Sequence, residues 1–263
     1  MFNFESMSEK NFYDIIICGG GITGLLLAKK LTDDIYFKNH KIALIEKEEK
    51  NKNDRTISFW EEGKGEWDSI ICGSWKNANF ISDEYQSSFA LRPYTYKTIR
   101  GIDFYNHFKK SLNNKNNLKI IRDNILNIKS DNSFSYVKTL NKEYKAPRVF
   151  SSIPNLEYKN QTSIPVLQQH FIGWFVKTEN SIFDPNKLIF MDFSVPQKGN
   201  TRFMYILPFD KNFALVEYTL FSKKILEKEE YEENIKKYLK DKNAGGFKIV
   251  EKEAGSIPMT GYN

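Results

Sequence analysis

A continuous apolar run, Tyr13 to Cys18, leads straight into Gly19-Gly20-Gly21-Ile22-Thr23-Gly24. This pairing constrains the fold more than any other feature of the chain. A run with no polar alternation reads as a strand buried on both faces. The glycines that follow match G-x-G-x-x-G, and Ile22 to Leu31 reads as a helix. Lys41 to Glu46 (KIALIE) is a second apolar strand, and it ends on an acid. Strand, helix and strand within about 35 residues make a βαβ unit on a parallel sheet.

Each glycine has a physical task in such a unit. Gly19 permits the tight turn, Gly21 lets the backbone approach a pyrophosphate, and Gly24 lets the helix lie close on the strand. The helix start at Ile22 supplies free N–H groups and a partial positive charge for phosphates. Glu46 would accept hydrogen bonds from the hydroxyls of an adenosine ribose. Cys18 reads as small core filler, and Ala28 and Leu31 as the sheet-facing side of the helix.

Asp103 to Leu112 is a further helix, with Phe104, Phe108 and Leu112 spaced for one face, and Arg148 to Ile153 reads as a strand. Beyond it the texture changes. His170–Thr178, Lys187–Phe193, Thr201–Phe209 and Phe213–Phe221 are aromatic-rich segments separated by turn residues, as in an antiparallel meander. Lys223 to Lys240 is a charged helix with Tyr231, Ile235 and Tyr238 on one stripe. The expected fold class is α/β, a Rossmann-like nucleotide-binding domain with an antiparallel β-sheet substrate domain. The expected division is 1–155, then 156–252 with a helix at 223–240, then 253–263 as the start of a return to the first domain. A βαβ unit at the N-terminus, a long excursion and then an antiparallel sheet suit FAD better than NAD.

Strand alternation singles out two carboxylates. Phe213, Leu215, Glu217, Thr219 and Phe221 share a face, as do Leu188, Phe190 and Asp192. A carboxylate in an apolar row is desolvated, so its pKa rises and it can serve as a general acid near neutral pH. The alternative is a structural carboxylate held by backbone or by Arg202. Arg55 and Arg100 flank turn-like segments and read as ion-paired on pattern alone. His170 reads as a hydrogen-bonded structural histidine, and the four tryptophans as packing residues.

Composition excludes several classes. The 39 Lys plus Arg are interspersed with 33 Asp plus Glu, so the net charge of +6 forms no nucleic-acid stripe. Two distant cysteines make no disulfide framework, and three scattered histidines make no metal site. The polar segment 1–10 is no signal peptide, and the most apolar stretch, Ile15 to Ala28, is too short to span a bilayer. The chain reads as cytosolic, at most peripheral to the inner membrane.

The sequence resembles the flavin-dependent lycopene cyclases of the bacterial and plant type. The resemblance is carried by YDIIICGGGITG, by Asp54-Arg55-Thr56-Ile57-Ser58-Phe59-Trp60-Glu61, by Gln169-His170-Phe171-Ile172-Gly173-Trp174 and by Phe190-Met191-Asp192-Phe193. Phe203 to Phe209, Ala214-Leu215-Val216-Glu217-Tyr218-Thr219 and Gly255 to Met259 complete it. It implies an FAD-binding lycopene β-cyclase, an intramolecular lyase or isomerase that uses reduced FAD, with NAD(P)H as reductant, without net redox change. Lycopene would be protonated and closed to β-ionone rings, giving γ- and β-carotene. Glu217 and Asp192 fall on the family's acidic positions, and Arg55 and Arg100 become candidates for FAD phosphate contacts. Lycopene is insoluble in water, so a membrane surface is an expected partner. Related flavoproteins continue with a glycine-rich segment where this sequence reaches Thr260-Gly261-Tyr262-Asn263, which implies a fragment or a divergent relative. The alternatives are an FAD-dependent monooxygenase or isoprenoid reductase of the same fold, and an inactive domain that only binds flavin or carotenoid.

Overall fold

The computed structural model describes residues 11–154 and 156–261. The polar segment 1–10 and the last two residues lie outside them. In chain order, β1 (Ile15–Cys18), α1 (Ile22–Asp33) and β2 (Ile42–Glu46) are followed by β3 (Thr56–Glu62), β4 (Ile71–Trp75), β5 (Asn77–Ile81), β6 (Gln86–Ala90) and β7 (Tyr94–Arg100). Then come α2 (Gly101–Leu112), β8 (Leu118–Arg122), β9 (Ile125–Ser130), β10 (Ser135–Thr139), β11 (Glu143–Ala146) and β12 (Arg148–Ser151). The rest of the chain forms β13 (Val166–Thr178), β14 (Lys187–Asp192), β15 (Arg202–Asp210), β16 (Phe213–Ser222), α3 (Lys228–Asp241) and β17 (Phe247–Thr260).

The chain divides into two compact units, 1–52 with 102–155, and 53–101 with 156–263. This differs from the contiguous division expected from sequence. The 53–101 segment joins the sheet-rich unit because β5 pairs with β14, far along the chain, through Leu188↔Ala78 and its neighbours.

The first unit holds a four-stranded sheet in the order β12-β1-β2-β8, with every neighbour parallel. Every residue of β1 is buried, as an uninterrupted apolar run requires. The antiparallel sheet β11-β10-β9 covers one face, where Val137, Tyr144 and Ala146 meet Ile16, Cys18, Ala43 and Ile45. Helix α1 lies on the other face, with Gly24 against Ile17 and with Ala28 and Leu31 buried. Cys18 is fully buried, and burial pushes its thiol up to about 12, so it is core filler as expected.

The second unit is built on a seven-stranded sheet in the order β17-β13-β16-β15-β14-β5-β6. Alternation gives its central strands two different faces. Trp174, Val176, Met204, Ile206, Val216, Tyr218 and Leu220 pack against the Tyr231, Ile235, Tyr238 and Leu239 stripe of α3. Phe175, Leu207 and Leu215 face the other way, onto Trp75 and Tyr96 of the smaller β3-β7-β4 sheet and onto Leu91 just before β7. His170 is buried between the Tyr231 hydroxyl and Ser222 Oγ, the latter at 2.8 Å. Burial lowers its pKa, so it is the structural histidine expected from sequence.

Candidate functional site

A cavity of about 320 Å³ opens on the second face of the large sheet. One part of its wall is aromatic, with Phe171, Phe190, Phe203, Tyr96 and Tyr205 around Met191 and Leu215, and polar side chains, among them Asp54, Arg55, Thr56, Ser58 and Gln169, line the rest. The strand period determines this. Phe171 on β13, Phe203 and Tyr205 on β15, and Leu215, Glu217 and Thr219 on β16 are the residues that alternate away from α3. Trp60 stands half-exposed beside this wall, its ring 4.7 Å from Tyr96 and 5.8 Å from Phe190.

Glu217 is buried in this cavity, in the apolar row that its sequence position gives it. The Thr219 hydroxyl donates to its Oε1 at 2.6 Å. Burial pushes its carboxyl up to about 8, outweighing the Thr219 hydrogen bond, and the nearby Glu253 adds to the rise. Glu217 is therefore protonated at neutral pH. Arg202 is not its partner. That guanidinium is committed to Glu230 at 2.7 Å and to the Tyr218 hydroxyl.

Asp192 is not brought together with Glu217. A register shift between Ile189 and Asp192 breaks the alternation of β14, so the consecutive Phe190 and Met191 both line the cavity. Asp192 turns to the opposite face. There it accepts hydrogen bonds from Ser194 Oγ at 2.5 Å and from the Tyr238 hydroxyl of α3 at 2.6 Å, with Lys242 Nζ at 3.5 Å. Burial raises its pKa, but these donors and the lysine outweigh that and hold it below the ordinary value. It is an ionised structural carboxylate, not an acid facing the cavity.

The cavity holds a second carboxyl that sequence reading missed. Glu253 of β17 is buried and accepts from Thr56 Oγ1 at 2.7 Å. Burial raises its pKa, against the pull of the Thr56 hydrogen bond and the Arg100 charge. Tyr96 and Tyr205 join hydroxyl to hydroxyl at 2.8 Å, and burial raises both phenols. The residues around Glu253 read as alternating surface charge, Glu251-Lys252-Glu253, so no local signal marks it. Only the pairing of β17 with β13 does.

Arg55 lines the cavity beside Asp54, with which it pairs at 3.2 Å. Arg100 pairs with Glu251 and lies 4.1 Å from the Phe175 ring. Its Nε has no hydrogen-bond partner among the described residues.

The βαβ loop of the first unit fits a dinucleotide pyrophosphate by its own geometry. Gly19 has φ +99°, and a Cβ there would sit 2.4 Å from Ser152 Oγ. A Cβ on Gly24 would sit 1.9 Å from the Gly19 carbonyl oxygen, so only glycine lets α1 approach β1. Among the described residues nothing lies within 4 Å of where a Cβ on Gly21 would sit, and no side chain caps the start of α1 at Ile22. A helix N-terminus of this kind offers N–H groups that an anion can accept from. Glu46 is fixed beside the loop, accepting from Gly20 N at 2.6 Å and Glu48 N at 2.8 Å. Among the described residues no cluster of His, Cys, Asp and Glu is arranged to hold a metal.

Residues 14–262 match the lycopene cyclase protein family. The chain belongs to the lycopene cyclase family. Solved structures extend this lycopene cyclase fold to a wider group. A geranylgeranyl bacteriochlorophyll reductase-like protein from Thermoplasma acidophilum superposes with a TM-score of 0.65 at 14% identity, over 94% of this chain and 66% of its own. The p-nitrophenol 4-monooxygenase PnpA from Pseudomonas putida gives a TM-score of 0.65 at 13% identity, over 95% and 68%. The halogenase PltM, in complex with phloroglucinol and FAD, gives 0.62 at 13%, over 93% and 59%. This family member therefore spans about two thirds of the length of these structures, and its mixed α/β architecture is theirs. No curated protein matches the sequence. No helix among the described residues is long and apolar enough to cross a membrane.

Proposed function

We propose that this chain is a lycopene β-cyclase, closing the linear ends of lycopene to β-ionone rings by acid-initiated carbocation chemistry without net redox change. The observation that carries the reading is Glu217, a carboxyl held protonated near pH 7 in a cavity walled in part by aromatic rings. Alkene protonation needs an acid kept out of water, and burial provides it. Thr219 donates to Oε1, which leaves Oε2 to carry the acidic proton. The cation that follows is stabilised by aromatic faces, and Phe171, Phe190, Phe203 and Tyr205 supply them. A cavity of about 320 Å³ suits one end of a polyene rather than its whole length.

FAD belongs, on this reading, to the cradle of Gly19, Gly21, Ile22 and Gly24, with its adenosine ribose on Glu46. Bound in reduced form, with NAD(P)H as the source of electrons, it would supply negative charge able to stabilise a carbocation. The two rounds of ring closure give γ- and then β-carotene. Lycopene reaches the protein from a membrane surface, to which the chain docks peripherally.

The test is the Glu217→Gln variant, incubated anaerobically with lycopene in liposomes and pre-reduced FAD beside the unaltered chain. The unaltered chain is expected to form β-carotene. The variant is expected to leave lycopene unchanged while binding FAD with the same affinity by fluorescence titration. Cyclisation by the variant would remove Glu217 from the chemistry.

A further inference from the structure

Gly173 of β13 sits opposite two glutamates at once. It pairs with Glu217 on β16 and with Glu253 on β17. Directly opposed residues of an antiparallel sheet point to the same face, so three strands carry a single row, Glu217–Gly173–Glu253. The middle position has no side chain, and the two outer ones lean over it. Leu215 Cδ1 lies 2.9 Å, Glu253 Cγ 3.3 Å and Glu217 Cβ 3.5 Å from the point that a Cβ on Gly173 would occupy, so the two glutamates share that space with Leu215. Both residues line the same cavity.

The two carboxyls are environmentally distinct. Glu217 has a hydroxyl donor, Thr219, and Leu215 and Phe203 nearby in its wall. Glu253 has its own hydroxyl donor, Thr56, and also feels the positive charge of Arg100, which Glu251 of the same strand holds in place. From the β3 and β7 side the cavity is faced by Arg55, Asp54 and Tyr96, and from β15 by Tyr205. Burial raises the proton affinity of both, but the opposing influences differ between them, and such an asymmetry suits one carboxyl to give a proton and the other to take one. Of the two charges near Glu253, Arg100 favours its ionised form and Glu251 opposes it, whereas among the described residues no cation acts on Glu217.

We propose that Glu253 is the proton acceptor that ends ring closure, working with Glu217 across the gap left by Gly173. This role rests on the cyclase reading given above. The step balances without any co-reactant. The Glu217 O–H bond breaks and a C–H bond forms at the terminal alkene. A neighbouring alkene's π pair closes the ring C–C bond. A C–H bond next to the resulting cation then breaks, its electron pair becomes the ring double bond, and the proton goes to the Glu253 carboxylate. A proton returned from Glu253 to Glu217 through the cavity restores the pair, and nothing is oxidised or reduced.

Glu253→Gln tests it, because glutamine keeps an oxygen for Thr56 and loses only the base. With lycopene liposomes and reduced FAD in deuterated buffer, ring formation is expected to fall by roughly 100-fold or more. Deuterium is still expected to enter recovered lycopene, since Glu217 adds and retakes its proton. Glu253→Asp is expected to restore part of the turnover. In the flavin-free protein, the infrared titration of the Glu217 carboxyl is expected to move to lower pH, because a neighbouring negative charge has gone. Normal ring formation by Glu253→Gln, or loss of deuterium entry together with ring formation, overturns the role of Glu253 and leaves the cyclase reading standing. An unmoved Glu217 titration overturns the pairing. Failure of the unaltered chain to cyclise lycopene overturns both.

Discussion

Glu217 keeps its proton because the sheet gives it nothing to neutralise an anion. One hydroxyl donor, Thr219, does not offset full burial, and Glu253 adds a like charge. That has a thermodynamic consequence. A carboxyl whose folded pKa lies above its ordinary value binds more protons in the folded state, so it costs stability as pH rises. For Glu217 the window runs from the ordinary value of 4.5 to about 8. Glu217→Gln mimics the protonated form. It is expected to match the unaltered chain below pH 4.5 and to become the more stable of the two by on the order of 3 kcal/mol at pH 7. Urea titrations across this range measure the gap, and a constant gap would mean that Glu217 titrates normally. This residue's site was legible in the sequence because β16 is paired on both sides without interruption around it, so period-2 alternation held.

Alternation failed one strand away, at the scale of the element. In β14 the shift after Ile189 sends Asp192 to the α3 face, where Tyr238 and Ser194 fix it. No glycine or proline within Lys187–Asp192 announces that irregularity. It follows from pairing with β5 on one side and β15 on the other, which are far away in sequence. The consequence is a separable phenotype. Asp192→Asn is expected to lower stability by about 1–3 kcal/mol, through a buried donor left without its acceptor. Its yield of cyclised pigment per folded molecule is expected to be unchanged. Because the native pKa of Asp192 is lowered, its contribution is present above the ordinary carboxylate value and is lost as pH falls through the native one. The stability difference should therefore shrink in acid. A variant that is stable yet inactive would return Asp192 to the chemistry. The helix stripe of α3 was legible for the opposite reason, since Tyr231, Ile235 and Tyr238 need only the helix period to find a common face.

For the whole molecule, the βαβ opening was legible to within a residue or two because its signals are local: an apolar strand, three spaced glycines, a helix and an acid. The division into units was not, because the 53–101 segment returns to β14 through a pairing that no local pattern encodes. Glu253 was hidden in the same way. Its partners Thr56, Gly173 and Glu217 lie on three other strands. The fold alone is shared with reductases, monooxygenases and halogenases, so chemistry is what separates this chain from them. The redox balance of the reaction separates them most directly. Purified chain, lycopene in liposomes and a limiting amount of reduced FAD are sealed without oxygen, and pigment and flavin are followed together by chromatography and absorbance. The expected result is many equivalents of β-carotene per flavin, with the flavin still reduced at the end. Product capped at one equivalent per flavin, or a pigment that has gained hydrogen or oxygen, would contradict an acid-driven cyclase.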